Sequence, residues 1–307
     1  GDWITPSACT DKETGRMVLG PLVLCNLTGT YYYAYSTETL SKIAEILGKT
    51  EDAKMYRELN QKIREAAVHE LYNRGQILES PYMGAQILAL HMHLYPEKEK
   101  GKLFERIMKL VKKNGMDAGF SSALVLPEIL CENGKSAQMY ELLLNEQCPS
   151  WLYQVNQGAT TVWEAMQAIL PNGERGDCSY IQPAYCSIGN WMVEGMCGIS
   201  AAEPGFTTVK IRPYFTDQLD YAEGKVITKQ GTVINRWEHK GNEMIMDTEI
   251  PANATAKIFI ENTSADNVKE SKGNLSGFEG LLDVEEKDGG VLIHVESGTY
   301  HFRWTVK

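Results

Sequence analysis

Between residues 31 and 146, apolar side chains recur every three or four positions, the spacing of one helix face. Tyr31 to Leu47 carries this period and stops at Gly48, a residue type that ends helices. Thr50 is placed to cap the next predicted helix, Glu51 to Glu70, which has acids in its first turn. Gly84 to Tyr95 predicts a third helix, halted by Pro96. Lys98 to Lys113 aligns Leu103, Ile107 and Leu110 on one stripe ahead of Gly115. Ser121 to Cys131 and Ser136 to Glu146 predict a further pair. One more helix is expected to start near Thr161, and another to cover Ala184 to Met196. Sequential helices with short links stack as antiparallel hairpins, which predicts an α/α toroid. About eight or nine helices fall short of the twelve in a six-hairpin ring, so the toroid is expected to be incomplete.

After residue 200 the period changes from helical to alternating. Strands are predicted at Thr207–Ile211, Tyr221–Thr228, Thr232–His239, Glu243–Glu249, Ala256–Ile260, Val291–Val295 and Tyr300–Val306. Turn residues such as Lys240-Gly241-Asn242 and Asp288-Gly289-Gly290 separate them. This spacing predicts an antiparallel β-sandwich. The fold is therefore read as mainly α with a β C-terminal domain, divided into residues 1–203 and 204–307. Trp237 and Trp304 could meet sugar but are expected to pack the sandwich core or the domain interface.

The chain has 307 residues, enough for two domains, and a formal charge of −10. Such acidity argues against nucleic acid and anionic membrane as partners. No apolar run reaches about 18 residues, so no helix is expected to span a bilayer. No basic-then-apolar leader is visible, although a longer parent would still place the protein in the periplasm or outside the cell if it carried one. Otherwise the cytoplasm is the expected compartment. The seven cysteines, all before residue 200, have neither the parity nor the spacing of a disulfide framework. No Cys-x-x-Cys occurs, and no metal or cofactor is expected. His91 and His93 stand two apart, which on a helix points them to different faces, so they read as ordinary helix residues.

Candidate chemistry concentrates in Gly158-Ala159-Thr160-Thr161-Val162-Trp163-Glu164. Pro149-Ser150-Trp151 precedes it, and Gln182, Tyr185 and Trp191 follow. Aromatic plates beside a carboxylate suit a sugar: the rings cover C–H faces, and the carboxylate acts on a hydroxyl or a water. Glycoside hydrolysis uses two carboxyl groups, one protonating the leaving oxygen and one activating water or attacking the sugar. Thr161 to Glu164 also spells a capping box, in which Glu164 would merely start a helix.

Gly158 to Glu164 resembles the Gly-Ala-Thr-Thr-Ile-Trp-Glu signature of bacterial α-L-rhamnosidases, with Val162 for Ile. Gly1-Asp2-Trp3, Ala44-Glu45-Ile46-Leu47-Gly48, Ala118-Gly119-Phe120 and Pro149-Ser150-Trp151 are similar to further motifs of that family, in order. Ala184 to Trp191 resembles Ala-Tyr-Gly-Ala-Val-Gly-Glu-Trp. The resemblance covers most of residues 1–215.

It implies an inverting glycosidase on an (α/α)6 barrel followed by a β-sandwich. The reaction implied is removal of terminal α-L-rhamnose from plant or bacterial glycans. By resemblance Glu164 is the general base. Asp2, Trp3, Trp151, Trp163 and Gln182 are then expected at the sugar, with Trp191 structural. The family's acid lies in an Arg-x-Glu-Arg-like segment upstream of Gly-Asp-Trp, outside this sequence. Ile181-Gln182 also replaces the family's Asn-His, whose His touches substrate. Glu128, Glu174 and Asp177 are other carboxylates near loops, but no motif supports them as the acid. A non-catalytic carbohydrate-binding remnant and a toroid glycosidase of fucosides or uronides are the alternatives. An open toroid is also expected to self-associate through its uncovered helix face.

Overall fold

A computed structural model describes residues 1–18, 22–271 and 273–306 of the chain. The chain divides into two compact units, Gly1–Ser187 and Ile188–Lys307.

The first unit is helical. α1 (Cys25–Ile46) and α2 (Thr50–Ala67) form the first hairpin. α3 (Gly84–His91) with α4 (Lys100–Asn114), and α5 (Phe120–Glu132) with α6 (Ser136–Leu143), form the next two, and α7 (Trp151–Asn156) follows. α1 begins earlier than the apolar period predicts. There the polar side chains serve the helix itself, as Thr30 Oγ1 donates to the Asn26 carbonyl at 2.8 Å. Thr50 is the first helical residue rather than the cap, and Lys49 takes the cap position. α3 is the most interior helix, with every residue from Gly84 to Leu90 buried. It ends at His91, short of the predicted Tyr95, because His93 adopts a left-handed φ of 54°. α4 buries Leu103, Ile107, Leu110 and Val111, the stripe that its sequence predicts.

The predicted helix near Thr161 does not form. Residues 157–183 contain no α-helix, and the chain is turned by Gly158 and Gly173, both at positive φ. The capping-box reading fails for a specific reason. Thr161 Oγ1 donates to the Tyr180 carbonyl, and the Glu164 carboxylate accepts from Ser179 N–H. Both side chains spend their polar atoms on the facing loop segment instead of on a helix start. The predicted Ala184–Met196 helix appears as three short successive turns, with α8 (Ser187–Trp191) the α-helical part.

The second unit holds two sheets. β1 (Ile199–Ala201), β2 (Thr208–Ile211), β6 (Thr255–Glu261), β10 (Gly290–Val295) and β9 (Leu281–Lys287) form one, in the order β1-β2-β6-β10-β9. The other runs β3-β4-β5-β11-β7-β8. Its strands are β3 (Tyr221–Thr228), β4 (Gly231–Lys240), β5 (Glu243–Ile250), β11 (Gly298–Thr305), β7 (Lys269–Glu270) and β8 (Gly273–Asn274). Pairing is antiparallel except between β2 and β6, which run parallel. The sequence pattern does not predict β9, whose side chains are mostly exposed and carry no clean alternation. Trp237 and Trp304 are both buried, with Phe215 between them at ring distances of 5.8 and 5.2 Å. Trp237 Nε1 donates to the Met196 carbonyl at 2.7 Å, which satisfies its one polar atom.

Candidate functional site

The site is assembled by two loops of the first unit. The first begins with Asp2, only 1% exposed. Its carboxylate sits at the N-terminus of α5, where helical N–H groups lack partners within the helix. It accepts from Gly119 N at 3.2 Å, Ser121 N at 3.0 Å and Ser122 N at 3.1 Å. Ser122 Oγ adds a fourth bond at 2.5 Å. Glycine at 119 makes room, since a Cβ there would stand 2.6 Å from Asp2 Cγ; one at Gly84 would also collide with the carboxylate. Burial raises the Asp2 carboxyl above its usual value, against the pull of these bonds. The next residue is thereby fixed: Phe120 N–H donates to the Trp3 carbonyl at 2.9 Å.

The second loop pairs with itself. Glu164 N–H donates to Ser179 O at 3.0 Å, and Gln182 N–H to Val162 O at 2.9 Å. Ser179 N–H returns a bond to Glu164 Oε2 at 2.9 Å. Trp3 Nε1 approaches Glu164 Oε1 at 3.4 Å, so each carboxylate oxygen faces one N–H donor. Glu164 is half-buried, and the adjacent Ala165 is fully buried beside Ile4, Cys9 and Met17. The carboxylate thus stands on a packed base and keeps part of its surface open to water.

Three aromatic residues, Tyr185, Trp151 and Trp163, brace these loops from within. Tyr185 is fully buried, its hydroxyl within 2.9 Å of Ile4 O and 2.8 Å of Ala118 O. Its ring meets Phe120 edge-on at 5.3 Å, and its carbonyl accepts from Trp151 Nε1 at 3.1 Å. Burial pushes the Tyr185 phenol well above its usual value, so it remains a neutral donor. Trp163 N–H bonds to Gln154 Oε1 at 3.0 Å, and its ring meets Tyr180 edge-on at 5.8 Å.

Residues 1–196 match the family described as bacterial alpha-L-rhamnosidase 6 hairpin glycosidase domain, and residues 198–275 match the bacterial alpha-L-rhamnosidase C-terminal domain. The chain belongs to the bacterial α-L-rhamnosidase family. An alpha-L-rhamnosidase of Formosa agariphila is 30% identical over 309 residues, covering 98% of this chain and 33% of that protein. One of Streptomyces avermitilis is 27% identical, covering 98% of this chain and 28% of its own length. The crystal structure of Streptomyces avermitilis alpha-L-rhamnosidase complexed with L-rhamnose superposes with a TM-score of 0.84 at 26% identity, over 99% of this chain and 28% of that one. The structure of the Dictyoglumus thermophilum enzyme gives 0.82 at 26% identity, over 99% and 34%. This rhamnosidase-family chain therefore spans about a third of the length of the relatives it matches.

Within it, the six residues singled out by sequence fall into two sets. Trp3, Glu164 and Gln182 are half-buried and joined through the two loops. Asp2, Trp151 and Trp163 are interior, the two indoles at 7% and 3% exposure. The expectation that both rings face a cleft does not match their packing: they brace the loops from behind. Among the described residues no group of three potential metal ligands converges. Tyr185 carries more of the site's architecture than its sequence signal indicated. Only its place in the Ala184-to-Trp191 motif hinted at it.

Proposed function

We propose that this chain carries the general-base half of an inverting α-L-rhamnosidase site, with Glu164 as the base and the general acid outside these residues. The observation that supports it is the double clamp on Glu164: Trp3 Nε1 on one oxygen and Ser179 N–H on the other. A base must hold one orientation while it takes a proton from water. Two donors on opposite oxygens fix the rotamer and leave further lone pairs for that water. Inverting chemistry needs an acid about 6.5–9.5 Å from the base, leaving space for water between base and sugar. Asp2 does not suit that part. Its raised affinity for a proton is right for an acid, but its carboxylate is enclosed and held by four donors. Trp3 lies on the sugar side of the base in this reading, and Gln182 beside it. Asp2, Trp151 and Trp163 act by holding those loops. The substrate class is a terminal α-L-rhamnoside.

The test is turnover of an aryl α-L-rhamnoside by a form extended to include a general-acid segment. Glu164→Gln should lower kcat by about 10²–10⁴, the scale of lost general-base catalysis. Unchanged turnover would remove Glu164 from the mechanism.

A further inference from the structure

A concavity of the first unit lies away from Glu164. It measures about 450 Å³ and is lined by α1, α3, α5, the end of α2 and the start of α4. Neither Trp3, Glu164 nor Gln182 contributes to it. Its volume falls within the range of small-molecule sites.

One wall is an aromatic platform. Tyr35 lines the cavity yet remains 47% exposed, an unusual state for a ring held in a stack. Its ring lies 6.2 Å from Tyr31 at 15° and 6.4 Å from His91 at 27°. Tyr31 is buried, and its hydroxyl shares a hydrogen bond with His91 Nδ1 at 2.9 Å. On the far side of the ring, His91 Nε2 lies 3.7 Å from Glu128 Oε2. These two contacts hold the His91 ring in place.

The charged part of the lining is balanced. Glu38, Glu128 and Glu132 face Lys42, Arg64 and Lys100. Glu38 already binds Lys42 at 2.7 Å and Arg64 at 2.6 Å. Three acids against three bases leave no net field to attract an ion. What remains is a flat ring face, with donors and acceptors of both kinds around it. That combination fits a neutral polyhydroxyl ring, whose C–H face lies on an aromatic plate while its hydroxyls bond at the edge.

We propose that this cavity is a second saccharide site, binding one neutral pyranose against Tyr35 with Glu128 and His91 meeting its hydroxyls. The proposal is independent of the reading of Glu164, so either can fail alone. The experiment titrates the 307-residue chain with L-rhamnose, D-galactose and D-glucose, followed by saturation-transfer difference NMR. At least one sugar should bind with a Kd on the order of 1 mM. Tyr35→Ala should weaken it about tenfold, whereas Tyr35→Phe keeps the platform and the affinity. Glu128→Gln, at an exposed side chain, gives a second variant that should bind several-fold more weakly. Ile227→Ser, at an exposed position on β3 that does not line the cavity, should bind as the parent does. The site is refuted if no sugar binds up to about 100 mM. It is equally refuted if Tyr35→Ala and Glu128→Gln bind like the parent, or if Glu164→Gln alone abolishes binding.

Discussion

The indole Nε1 of Trp3 stands 3.4 Å from Oε1 of Glu164, across a sequence separation of 161 residues. The contact depends on a buried acid that touches neither group. Asp2 ties the first loop to the start of α5, and Trp3 follows it directly. If this contact orients the base, Trp3→Phe should keep the ring and lose the clamp. A hydrogen bond to a charged group contributes about 1.5–3 kcal/mol, so kcat on an aryl α-L-rhamnoside should fall roughly tenfold or more in a form with the acid segment. Steady-state kinetics with both kcat and KM resolved would check it. A rise in KM at constant kcat would make Trp3 a sugar platform and not a positioning residue.

Asp2 gives a pH-dependent expectation with a definite sign. Its native carboxyl titrates above the ordinary value of 3.8, chiefly because it is buried. Between 3.8 and the native value, the folded state holds a proton that the unfolded state has lost. Stability from this group therefore falls as pH rises through that window, and is unaffected below it. Asp2→Asn removes the ionisation, so its stability should lack that decline. The amide would also turn an NH2 toward the N–H groups of α5 and cost about 1–3 kcal/mol throughout. Urea unfolding of both proteins from about pH 4 to pH 8 tests this. Parallel stability curves would mean that Asp2 ionises at its ordinary value.

Regular periodicity made much of the fold legible. The apolar stripe of Lys98–Lys113 marks α4, which covers Lys100–Asn114, and β3 covers Tyr221–Thr228 as its alternation indicates. The region around Glu164 was harder to read, since Thr161-Val162-Trp163-Glu164 has the local form of a capping box. Ser179 and Tyr180, fifteen and more residues onward, outcompete that local choice. Asp2 shows the same limit from the other side. The motif marked it, but its cap on α5 reaches across 117 residues, a distance no local pattern encodes. Gly119 and Gly84 are intelligible only once that carboxylate is in place.

Gln182 is fixed by its main chain, through Val162, close in the pairing to Glu164. An amide both donates and accepts but never becomes cationic near neutral pH. Gln182→His should add an ionisation near pH 6.5 to the kcat/KM profile of the acid-containing form. Affinity for the rhamnoside should shift several-fold with it. Superimposable profiles for the two proteins would put residue 182 away from the reacting sugar.

The final expectation concerns α1. Tyr33, Leu40, Ile43 and Leu47 recur at helical spacing and all remain exposed, with Leu47 at 64%. A contiguous apolar stripe of this kind marks a contact surface. We therefore expect the isolated chain to self-associate through α1, and to be nearly inactive on α-L-rhamnosides in the absence of an acid segment. Lysines on the stripe should solubilise it without harming the core, because these side chains pack against little. Leu40→Lys with Leu47→Lys should shift the protein toward monomer in sedimentation velocity, with an unchanged far-UV spectrum. The same pair should leave binding of whichever sugar the Tyr35 cavity takes intact, since neither position lines that cavity. A parent chain that sediments as a monomer at about 100 μM would show that the stripe is tolerated in water.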